Sequence, residues 1–518
     1  YIYFDNTIYR MIPSATNRKY LSLIYKHTRL DSVSQSGRRF FDIFSNLALE
    51  RGELKEIINW IHTDITNQTV FFNLNNEANE ILKITPEDIT VINNGNNPDN
   101  IILANSAKII KSHLFDNLTC AGPERWLLIN WLLCFMLLDF AGTKPMARFE
   151  GHHASGKSTA SKLISTLIYG TPQQKRSTIA ANYTDGAVNP IVLLDNIETK
   201  NATDDLIDFL LTAVTGIGNE KRKMGTDNEN VIEFTKCLIN TSGIEPLAGT
   251  LSEVVSRTLL FNFDLSNSSQ DFFLDVDAIE TLRRDRDVIL STIFKKTRIV
   301  LGLIRDGAQR RVMQLLHDTV GSHSKMRCND FLSLMYLMMI ADVDQASVEK
   351  NLATLNPAFV DMINTQQRFS DEIEMESNPI IIGLYGLFRE YHLAKLADEH
   401  IVNGNDQVNV DNYFKTYHLK FSDDYTIDGV LAKELHIALK KFSATKGLQY
   451  DYKSAMQFIQ RFRNNMKIIR QAGFEVVERE ARNKKSYTIT ISPESISRNK
   501  SFVQKNAHFE DSDHGFWE

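Results

Sequence analysis

The chain has 518 residues, a formal net charge of −6, 43% hydrophobic residues and 24% charged residues. This composition is typical of a soluble folded protein of about three or four domains, and it excludes a strongly basic or disordered chain. Any contact with nucleic acid must therefore come from a local basic patch. The four cysteines are far apart and show no metal-binding spacing, which predicts reduced thiols in a cytoplasmic protein.

Residues 1–104 are predicted to form an N-terminal α+β region. Residues 1–65 look mostly helical, and from Thr69 onward short β-rich runs alternate with asparagine-rich turns. We expect these runs to form a small antiparallel sheet that acts as a scaffold without chemistry of its own. The runs are Val70–Leu74, Ile81–Ile84, Ile89–Ile92 and Ile101–Leu103.

Residues 105–143 are predicted to be a helical collar that leads into the next domain. Trp126–Phe140 (WLLINWLLCFMLLDF) is the most apolar stretch of the chain, but it is only about 15 residues long, whereas a membrane-spanning helix needs about 20. It also contains Asn130. We therefore expect a buried helix and no membrane association.

Residues 144–265 contain the pattern G-x-x-x-x-G-K-[ST], which is typical of a phosphate-binding loop. The run Met146–Glu150 before it predicts a short buried strand, and Ala160–Tyr169 after it has helical periodicity. Glycines let successive N–H groups point at one anion, and the following helix dipole adds positive potential. The pattern predicts ATP binding by Gly151, His153, Ala154, Ser155, Gly156, Lys157, Ser158 and Thr159.

The run Ile191–Leu194 predicts a buried parallel strand that ends in Asp195. We expect Asp195 and the Ser158 hydroxyl to hold Mg²⁺, while Lys157 contacts the β- and γ-phosphates. The next residue is Asn196, where many related ATPases have a second acid. Glu198 is the nearest carboxylate that can polarise the attacking water.

Two further residues are candidates for catalysis. Lys236–Asn240 predicts a strand beside the one that ends in Asp195, so Asn240 can hold the lytic water or sense the γ-phosphate. Arg257 precedes another apolar strand, Leu259–Phe263, and in a ring of subunits it can reach a neighbour's γ-phosphate and stabilise transition-state charge. Between the acid and Asn240, Gly216–Asn228 predicts a polar loop or hairpin with three consecutive cations.

The run from Gly151 to Asp264 resembles an AAA+ ATPase of the superfamily 3 helicase type, or a related MCM-like ATPase, of phages and mobile elements. The apolar helix before GHHASGKST, the run KRKMGTDNENVIEF before CLINTSG, and SRTLLFNF carry this resemblance. It implies an α/β core with a parallel sheet, a hexameric ring, activity on single-stranded or forked DNA during replication, and a primase or nuclease partner. It also implies that the hairpin cations Lys221, Arg222 and Lys223 grip DNA in the ring's pore, or that part of this cluster contacts a neighbour's ATP.

Residues 266–422 are predicted to be helical and residues 423–493 to form a winged-helix domain. Val430–Phe442 predicts one helix, and Lys453–Gln471 predicts a second helix with Met456, Ile459, Phe462, Met466 and Ile469 on its apolar face. Two strands then flank a basic turn, an arrangement suited to phosphate contacts. The candidate DNA contacts are Arg461, Lys467, Lys484 and Lys485. Residues 494–518 form an acidic tail that we expect to be disordered.

Three functions fit these patterns. The first is a ring-forming ATPase that translocates on single-stranded DNA. The second is a regulatory or scaffolding ATPase, such as a subunit of an anti-phage defence complex, whose winged helix binds protein. The third, a replication initiator with a degenerate nucleotide site, is disfavoured by the intact Gly156-Lys157-Ser158. ATPase rates with and without single-stranded DNA separate the first two.

Overall fold

The computed structural model divides into two compact units. The first unit holds Tyr1–Glu245 and Arg257–Gln366, and the second unit holds Pro246–Ser256 and Gln367–Glu518. The structure describes residues 2–4, 7–9, 18–31, 34–51, 58–103, 122–173, 178–198, 202–222, 230–235, 237–244, 252–264, 275–320, 328–341, 345–376, 378–401, 419–423, 425–446, 450, 452–481 and 484–491.

The first unit begins with a strand pair and a helical pair. Strands β1 (Ile2–Phe4) and β2 (Thr7–Tyr9) are antiparallel, and helices α1 (Arg18–Thr28) and α2 (Gln35–Arg51) follow. Tyr20, Ile24 and Phe41 form a small buried cluster of their own. The helical prediction for this stretch is confirmed over α1 and α2, and the strands were not foreseen.

The predicted antiparallel sheet is confirmed, with four strands in the order β3-β4-β5-β6. Its first strand was not predicted, and the predicted run Ile101–Leu103 contributes a single bridge, from Leu103 to Ile58. Inward-facing Phe72 packs against Phe294 and so joins this sheet to the main core of the unit. The strands are β3 (Ile61–Asp64), β4 (Thr69–Asn73), β5 (Glu80–Ile84) and β6 (Ile89–Asn93).

The apolar stretch of the collar forms the buried helix α3 (Gly122–Leu133), followed by two short 3₁₀ turns. Trp131 is fully buried, and its Nε1 donates a hydrogen bond to the carbonyl of Pro145 at 2.8 Å. This contact fixes the helix against the strand that carries the glycine-rich loop. Among the helices that the structure describes, none is both long and apolar enough to cross a bilayer.

A four-stranded parallel sheet forms the centre of the first unit, in the order β12-β7-β11-β8. Its strands are almost entirely buried, as expected for a sheet covered on both faces. In chain order the elements are β7 (Met146–Glu150), α4 (Lys157–Tyr169), α5 (Ile179–Val188), β8 (Ile191–Leu194), α6 (Asp204–Thr215), β9 (Gly218–Arg222), β10 (Asn230–Phe234), β11 (Leu238–Ser242), α7 (Ser252–Val255) and β12 (Thr258–Asn262).

This strand order determines where polar side chains can converge. The chain passes from β7 to β8, returns to β11 between them, and then crosses to β12 on the other side of β7. The carboxyl ends of β7, β11 and β8 therefore lie at one edge, where ligands of open α/β sheets bind. The predicted hairpin is also confirmed, because β9 and β10 pair antiparallel.

The predicted helical region is confirmed over six helices, the first of which is 31 residues long. Arg286 on this first helix is fully buried and donates hydrogen bonds to the carbonyls of Leu167 and Ile168 at the end of α4. Burial lowers the pKa of Arg286 to about 9. The helices are α8 (Asp275–Arg305), α9 (Ala308–Val320), α10 (Asn329–Ile340), α11 (Gln345–Ala353), α12 (Pro357–Glu376) and α13 (Pro379–Ile401).

In the part of the second unit that the structure describes, a four-stranded antiparallel sheet in the order β13-β14-β16-β15 is accompanied by α7, the end of α12, α13 and three further helices. Its core joins helix faces to the sheet, as in the T-shaped contact of Phe462 with Tyr487. The elements are β13 (Phe421–Asp423), β14 (Thr426–Leu431), α14 (Ala432–Lys446), α15 (Ala455–Asn464), α16 (Met466–Gln471), β15 (Phe474–Ala481) and β16 (Lys484–Ile491).

Three details differ from the sequence prediction. The predicted single helix Lys453–Gln471 is two helices, α15 and α16, separated at Asn465. Met456 is 81% exposed, because Phe458 and Phe462 define the buried face and Met456 lies about 200° round the helix from Phe458. Val430 belongs to β14 rather than to a helix. The predicted tail, residues 494–518, lies outside the described residues.

Candidate active site

The loop between β7 and α4 has backbone conformations that most residues avoid. Gly151, Ala154 and Gly156 all have positive φ angles, of 146°, 61° and 95°. A Cβ on Gly151 would lie 2.2 Å from the carbonyl oxygen of Phe263, so this position requires glycine. Such turns direct several N–H groups into one concavity, directly before the start of α4.

The predicted ATP-binding residues form this one continuous loop and the first turn of α4. His153 and Ala154 are exposed, whereas Ser155 is buried. Lys157 Nζ donates hydrogen bonds to the carbonyls of Gly151 (2.6 Å) and His152 (2.7 Å) and to Ser155 Oγ (3.2 Å). The lysine amine therefore lies against the loop and contacts two of its carbonyl groups.

The charges of both predicted acids, Asp195 and Glu198, act on the Lys157 amine. Burial lowers the pKa of Lys157, and the negative charges of Glu198 and Asp195 act in the opposite direction. Lys157 comes from helix α4, whereas the two acids follow strand β8. The structure thus brings two acids that lie about 40 positions after Lys157 in the sequence into electrostatic range of its amine.

Asp195 is held at the carboxyl edge by a residue that the sequence analysis did not single out. Ser242, the last residue of β11, donates a hydrogen bond from Oγ to Asp195 Oδ1. The same Oγ accepts a bond from the Asn196 N–H at 3.3 Å. Asn196 has φ 55°, a left-handed conformation that asparagine tolerates better than most residues. This backbone requirement is a physical reason for asparagine at the position after the acid.

Glu198 is buried and has a defined orientation. It is only 5% exposed, and its Oε1 accepts a hydrogen bond from the Ile244 N–H at 2.8 Å. Its charge acts on Lys157 and on Arg148. A buried carboxylate that is fixed by a backbone amide and faces cations is well placed for acid–base chemistry.

A buried arginine on β7 connects the parts of this edge. Arg148 is 1% exposed, donates a hydrogen bond from Nη1 to the Ile197 carbonyl at 2.8 Å, and faces Glu150 Oε1 from Nε at 3.4 Å. Burial lowers the pKa of Arg148, and Glu150 and Glu198 oppose that effect. The sequence contained one indication of this buried pair. Arg148 and Glu150 are two positions apart and therefore lie on the same face of an otherwise apolar strand.

Gly243 provides the space that Arg148 occupies. A Cβ at Gly243 would lie 2.1 Å from Arg148 Nη2 and 2.7 Å from the Ile197 carbonyl oxygen. Gly243 N–H also donates to the Phe149 carbonyl at 3.0 Å. The segment after β11 is therefore packed directly against the arginine that fixes the segment after β8.

Asn240 lies in the middle of strand β11 and not at the carboxyl edge of the sheet. Its Oδ1 accepts from Ser161 Oγ at 3.0 Å, and its Nδ2 donates to the Ala147 carbonyl at 3.1 Å. Because Asn240 is in register with Ala147, it lies several residues before the loop, and both ends of its amide bind within the core. Ser242, two residues further along β11, occupies the place beside Asp195 that the sequence analysis assigned to Asn240.

Arg257 lies at the opposite edge of the sheet. Its carbonyl accepts from the Met146 N–H at 2.8 Å, at the amino end of β7. The side chain is half-buried, and its charge acts on the buried thiol of Cys328. Arg257 is therefore remote from the loop of its own chain, and any role at a nucleotide requires a neighbouring subunit.

The candidate DNA-binding residues are described only in part. Lys223 and the side chains of Lys221, Arg222 and Lys484 lie outside the described residues. In the second unit, Arg461 and Lys467 are exposed on α15 and α16. Lys485 forms ion pairs with Glu478 and, at 3.9 Å, with Glu480.

Solved structures show what this fold is similar to. The chain matches a structure described as the SCCmec type IV Cch active helicase, with a TM-score of 0.53, 12% sequence identity, and coverage of 95% of this chain and 88% of that one. Two structures of the NrS-1 C-terminal region match with TM-scores of 0.28, 13% identity, and coverage of 83% of this chain and 96% of those. No protein-family model matches. No curated protein matches either.

The match to the Cch structure concerns the fold alone, given its low identity. It agrees with the α/β core, the four-stranded parallel sheet and the helical region described above. The chain therefore has a helicase-like fold.

Proposed function

We propose that this chain is an ATP-hydrolysing motor of the superfamily 3 helicase type, which acts on single-stranded DNA as a ring. The observation that carries the proposal is that the loop with Lys157, and Asp195 and Glu198 after β8, lie at the carboxyl edge of one parallel sheet, where β11 and the segment after it bind both acids. The similarity in fold to an active helicase from a mobile element supports the motor over other ATPases. We further propose that the motor serves replication of a phage or mobile element, with a primase or nuclease as partner.

The residues at this edge have complementary tasks. The loop N–H groups and Lys157 bind the β- and γ-phosphates, so the lysine exchanges its carbonyl contacts for phosphate oxygens. Glu198 orients and polarises the attacking water, while the Ile244 N–H fixes its carboxylate. Ser242 orients Asp195. Arg148 keeps the segment after β8 in place.

The oxygen donors at this edge fit a magnesium ion. Ser158 lies in the first turn of α4, and Asp195 follows β8 close enough to affect the Lys157 amine. Magnesium prefers one or two protein oxygens together with waters and substrate phosphates, so this small donor set is sufficient. When bound, the ion would neutralise charge on the phosphates.

The test is the ATPase rate of the purified chain with and without single-stranded DNA, together with strand displacement on a forked duplex. We expect DNA to stimulate hydrolysis and the fork to be unwound. Lys157→Ala should lower turnover by at least about 10²-fold, because it removes a preorganised donor to the phosphates. Lys162→Ala on the same helix is the control. Near-normal turnover in Lys157→Ala would refute the site.

A regulatory ATPase is the second candidate, and one observation favours it. Glu478 and Glu480 offset the charge of Lys485 in the second unit, which weakens the case for DNA contact there. In this alternative ATP controls assembly and the winged helix binds protein. An ATPase rate that DNA does not change, together with the absence of unwinding, would favour the regulatory ATPase and exclude the motor.

Arg257 is proposed to act at a neighbouring subunit, because it lies at the edge of the sheet away from its own loop. Arg257→Ala should bind ATP but not hydrolyse it. Mixing that variant with an Asp195→Ala chain should restore turnover, since one interface would then contain an intact loop and an intact arginine. Full activity of Arg257→Ala alone would remove this role.

A further inference from the structure

The turn between helices α1 and α2 carries a cluster of cations. Lys26 and Arg29 lie at the end of α1, and Arg38 and Arg39 lie in the first turns of α2. All four side chains are exposed. We call these four residues the N-terminal basic turn. Residues 18–51 contain seven lysines and arginines against three acids, although the whole chain has a net charge of −6.

The turn between the two helices that carry the cations has a defined backbone structure. Arg29 has φ 59° and its N–H caps α1 by bonding to the Tyr25 carbonyl at 2.9 Å. Ser34 then donates from Oγ to the Asp31 carbonyl (2.7 Å) and accepts from the Gly37 N–H (3.0 Å), which starts α2. A Cβ on Gly37 would lie 1.9 Å from the Asp31 carbonyl oxygen, so the turn is tightly packed.

The four cations have no carboxylate partner among the described residues. Among the residues that the structure describes, Lys26, Arg29, Arg38 and Arg39 take part in no ion pair with a carboxylate. The exposed acids of the segment are Asp31, Asp42 and Glu50. Four cations without carboxylate partners create a local field that attracts a polyanion.

An exposed aromatic ring beside the cations indicates which class of polyanion would bind there. Tyr25 is 53% exposed, and the Arg29 guanidinium lies over its ring, 5.8 Å from the centroid. Proteins that hold single strands combine cations that follow the backbone with aromatic rings and arginines on which bases stack. A duplex or an acidic protein would use the charges but would not need the ring.

We propose that the N-terminal basic turn and Tyr25 form a binding site for single-stranded nucleic acid. This site is separate from the hairpin β9–β10 and from the second unit. It does not depend on ATP hydrolysis, so it would stand even if the proposed motor function were wrong.

The experiment measures binding of a fluorescein-labelled single-stranded oligonucleotide to the full chain by anisotropy, without nucleotide, over a range of salt concentrations. Lys26→Gln/Arg38→Gln/Arg39→Gln should weaken binding by about tenfold or more near 0.1 M salt. The slope of log affinity against log salt should become shallower by about 2, because each single-strand phosphate contact contributes about 0.7. Thermal unfolding should be unchanged, since the substituted side chains are exposed.

The matched control removes three exposed cations elsewhere in the first unit, as Lys295→Gln/Arg310→Gln/Arg311→Gln on α8 and α9. It changes the net charge equally and should leave affinity and salt slope close to those of the wild type. Equal losses in both triple variants, or no loss in the basic-turn variant, would overturn the proposal. So would a wild-type chain that does not bind the oligonucleotide.

Tyr25→Ala tests the nature of the ligand. We expect single-strand affinity to fall at least about fivefold, as loss of one stacked base predicts, while affinity for the matching duplex stays the same. An equal effect on both, or none, would overturn the single-strand assignment. Polyglutamate that competes as well as the oligonucleotide, and loses affinity equally in the basic-turn variant, would assign the turn to an acidic protein instead.

Discussion

Two charged side chains at the carboxyl edge of the parallel sheet are buried and fixed, whereas the charged pair on strands β15 and β16 of the second unit is exposed. Arg148 and Glu198 are 1% and 5% exposed, and each forms a hydrogen bond to a backbone group of another segment. Lys485 and Glu478 pair across β16 and β15 with side chains that are 42% and 34% exposed. Both regions contain cations and acids, but only the first removes them from water.

This difference separates charged groups that fit a catalytic role from charged groups that fit binding of a charged partner. Burying an ionised group is costly unless it is paired, so a sequence retains such groups where orientation matters. Exposed pairs contribute little to stability and are screened by salt, so they mainly affect encounter with charged partners. We therefore expect substitutions at the sheet edge to change turnover and stability, and those on the second unit to change only binding.

The largest expected effect is at Glu198. The amide oxygen of Glu198→Gln can still accept the Ile244 N–H, so the local structure should persist while the charge that polarises water is lost. We expect kcat to fall by about 10²–10⁴-fold with ATP affinity retained. Steady-state ATPase assays and binding of a fluorescent ATP analogue measure the two quantities. Exposed Glu280→Gln on α8 is the control, and unchanged kcat in Glu198→Gln would remove the residue from catalysis.

Arg148→Met should have the next largest effect, on stability. The substitution keeps an unbranched side chain but leaves Glu150 buried without this cation and the Ile197 carbonyl without its donor. Removing one partner of a buried pair typically costs about 3–5 kcal/mol of unfolding free energy. Urea unfolding measures the loss.

The comparison for Arg148 is Arg284→Met, whose guanidinium pairs with Asp285 and is 71% exposed. It should cost less than about 1 kcal/mol. Similar losses at the two arginines would contradict the contrast between buried and exposed charge.

Part of the site could be predicted from the sequence because its signals are local. The loop Gly151–Thr159, the strand before it and the acid after Ile191–Leu194 each follow from spacing and apolar pattern within a few residues. The antiparallel scaffold and the hairpin β9–β10 were predictable for the same reason.

The rest depends on register between strands that are distant in the sequence. A shift of two residues along β11 exchanges Asn240 for Ser242 at the carboxyl edge, and no local pattern specifies that register. Arg148 could be noticed as a charge in an apolar strand, but its contact with Ile197 requires the loop after β8 to fold back over β7. Likewise, Arg286 lies in a run that reads as a solvated helix face, and only packing against α4 shows that it is buried.

Gly243→Ala tests the packing between Arg148 and the segment after β11. The added methyl group would meet Arg148 Nη2 and the Ile197 carbonyl oxygen, so either the arginine or the loop must move. Overpacking of this kind costs about 1–3 kcal/mol, and we expect kcat to fall as well because Glu198 follows Ile197 directly.

Gly302→Ala is the control for Gly243→Ala. Gly302 lies inside α8, and a Cβ there would have nothing within 4 Å among the described residues. It should therefore stabilise the chain slightly, because alanine favours helix more than glycine does. Equal behaviour of the two alanine variants in thermal unfolding and ATPase assays would mean that the tight contact at Gly243 does not exist.

The smallest effect is expected on the second unit, at Glu478. The hydrogen bond from Lys485 lowers the pKa of Glu478 below its ordinary value. A lowered folded-state pKa means that the pair stabilises the fold above the unfolded-state pKa and loses this contribution as the pH falls through the folded-state pKa.

At neutral pH, Glu478→Gln should change the melting temperature little and should raise affinity for an oligonucleotide a few-fold, because Lys485 loses the nearer of its two carboxylate partners. Glu434→Gln, on α14, is the control for loss of one negative charge in the same unit. Anisotropy at two salt concentrations measures the change, since an electrostatic gain must shrink as salt rises. A gain of equal size in Glu434→Gln would mean that net charge, and not the release of Lys485, controls binding. Strands β15 and β16 would then not form a separate contact for the oligonucleotide.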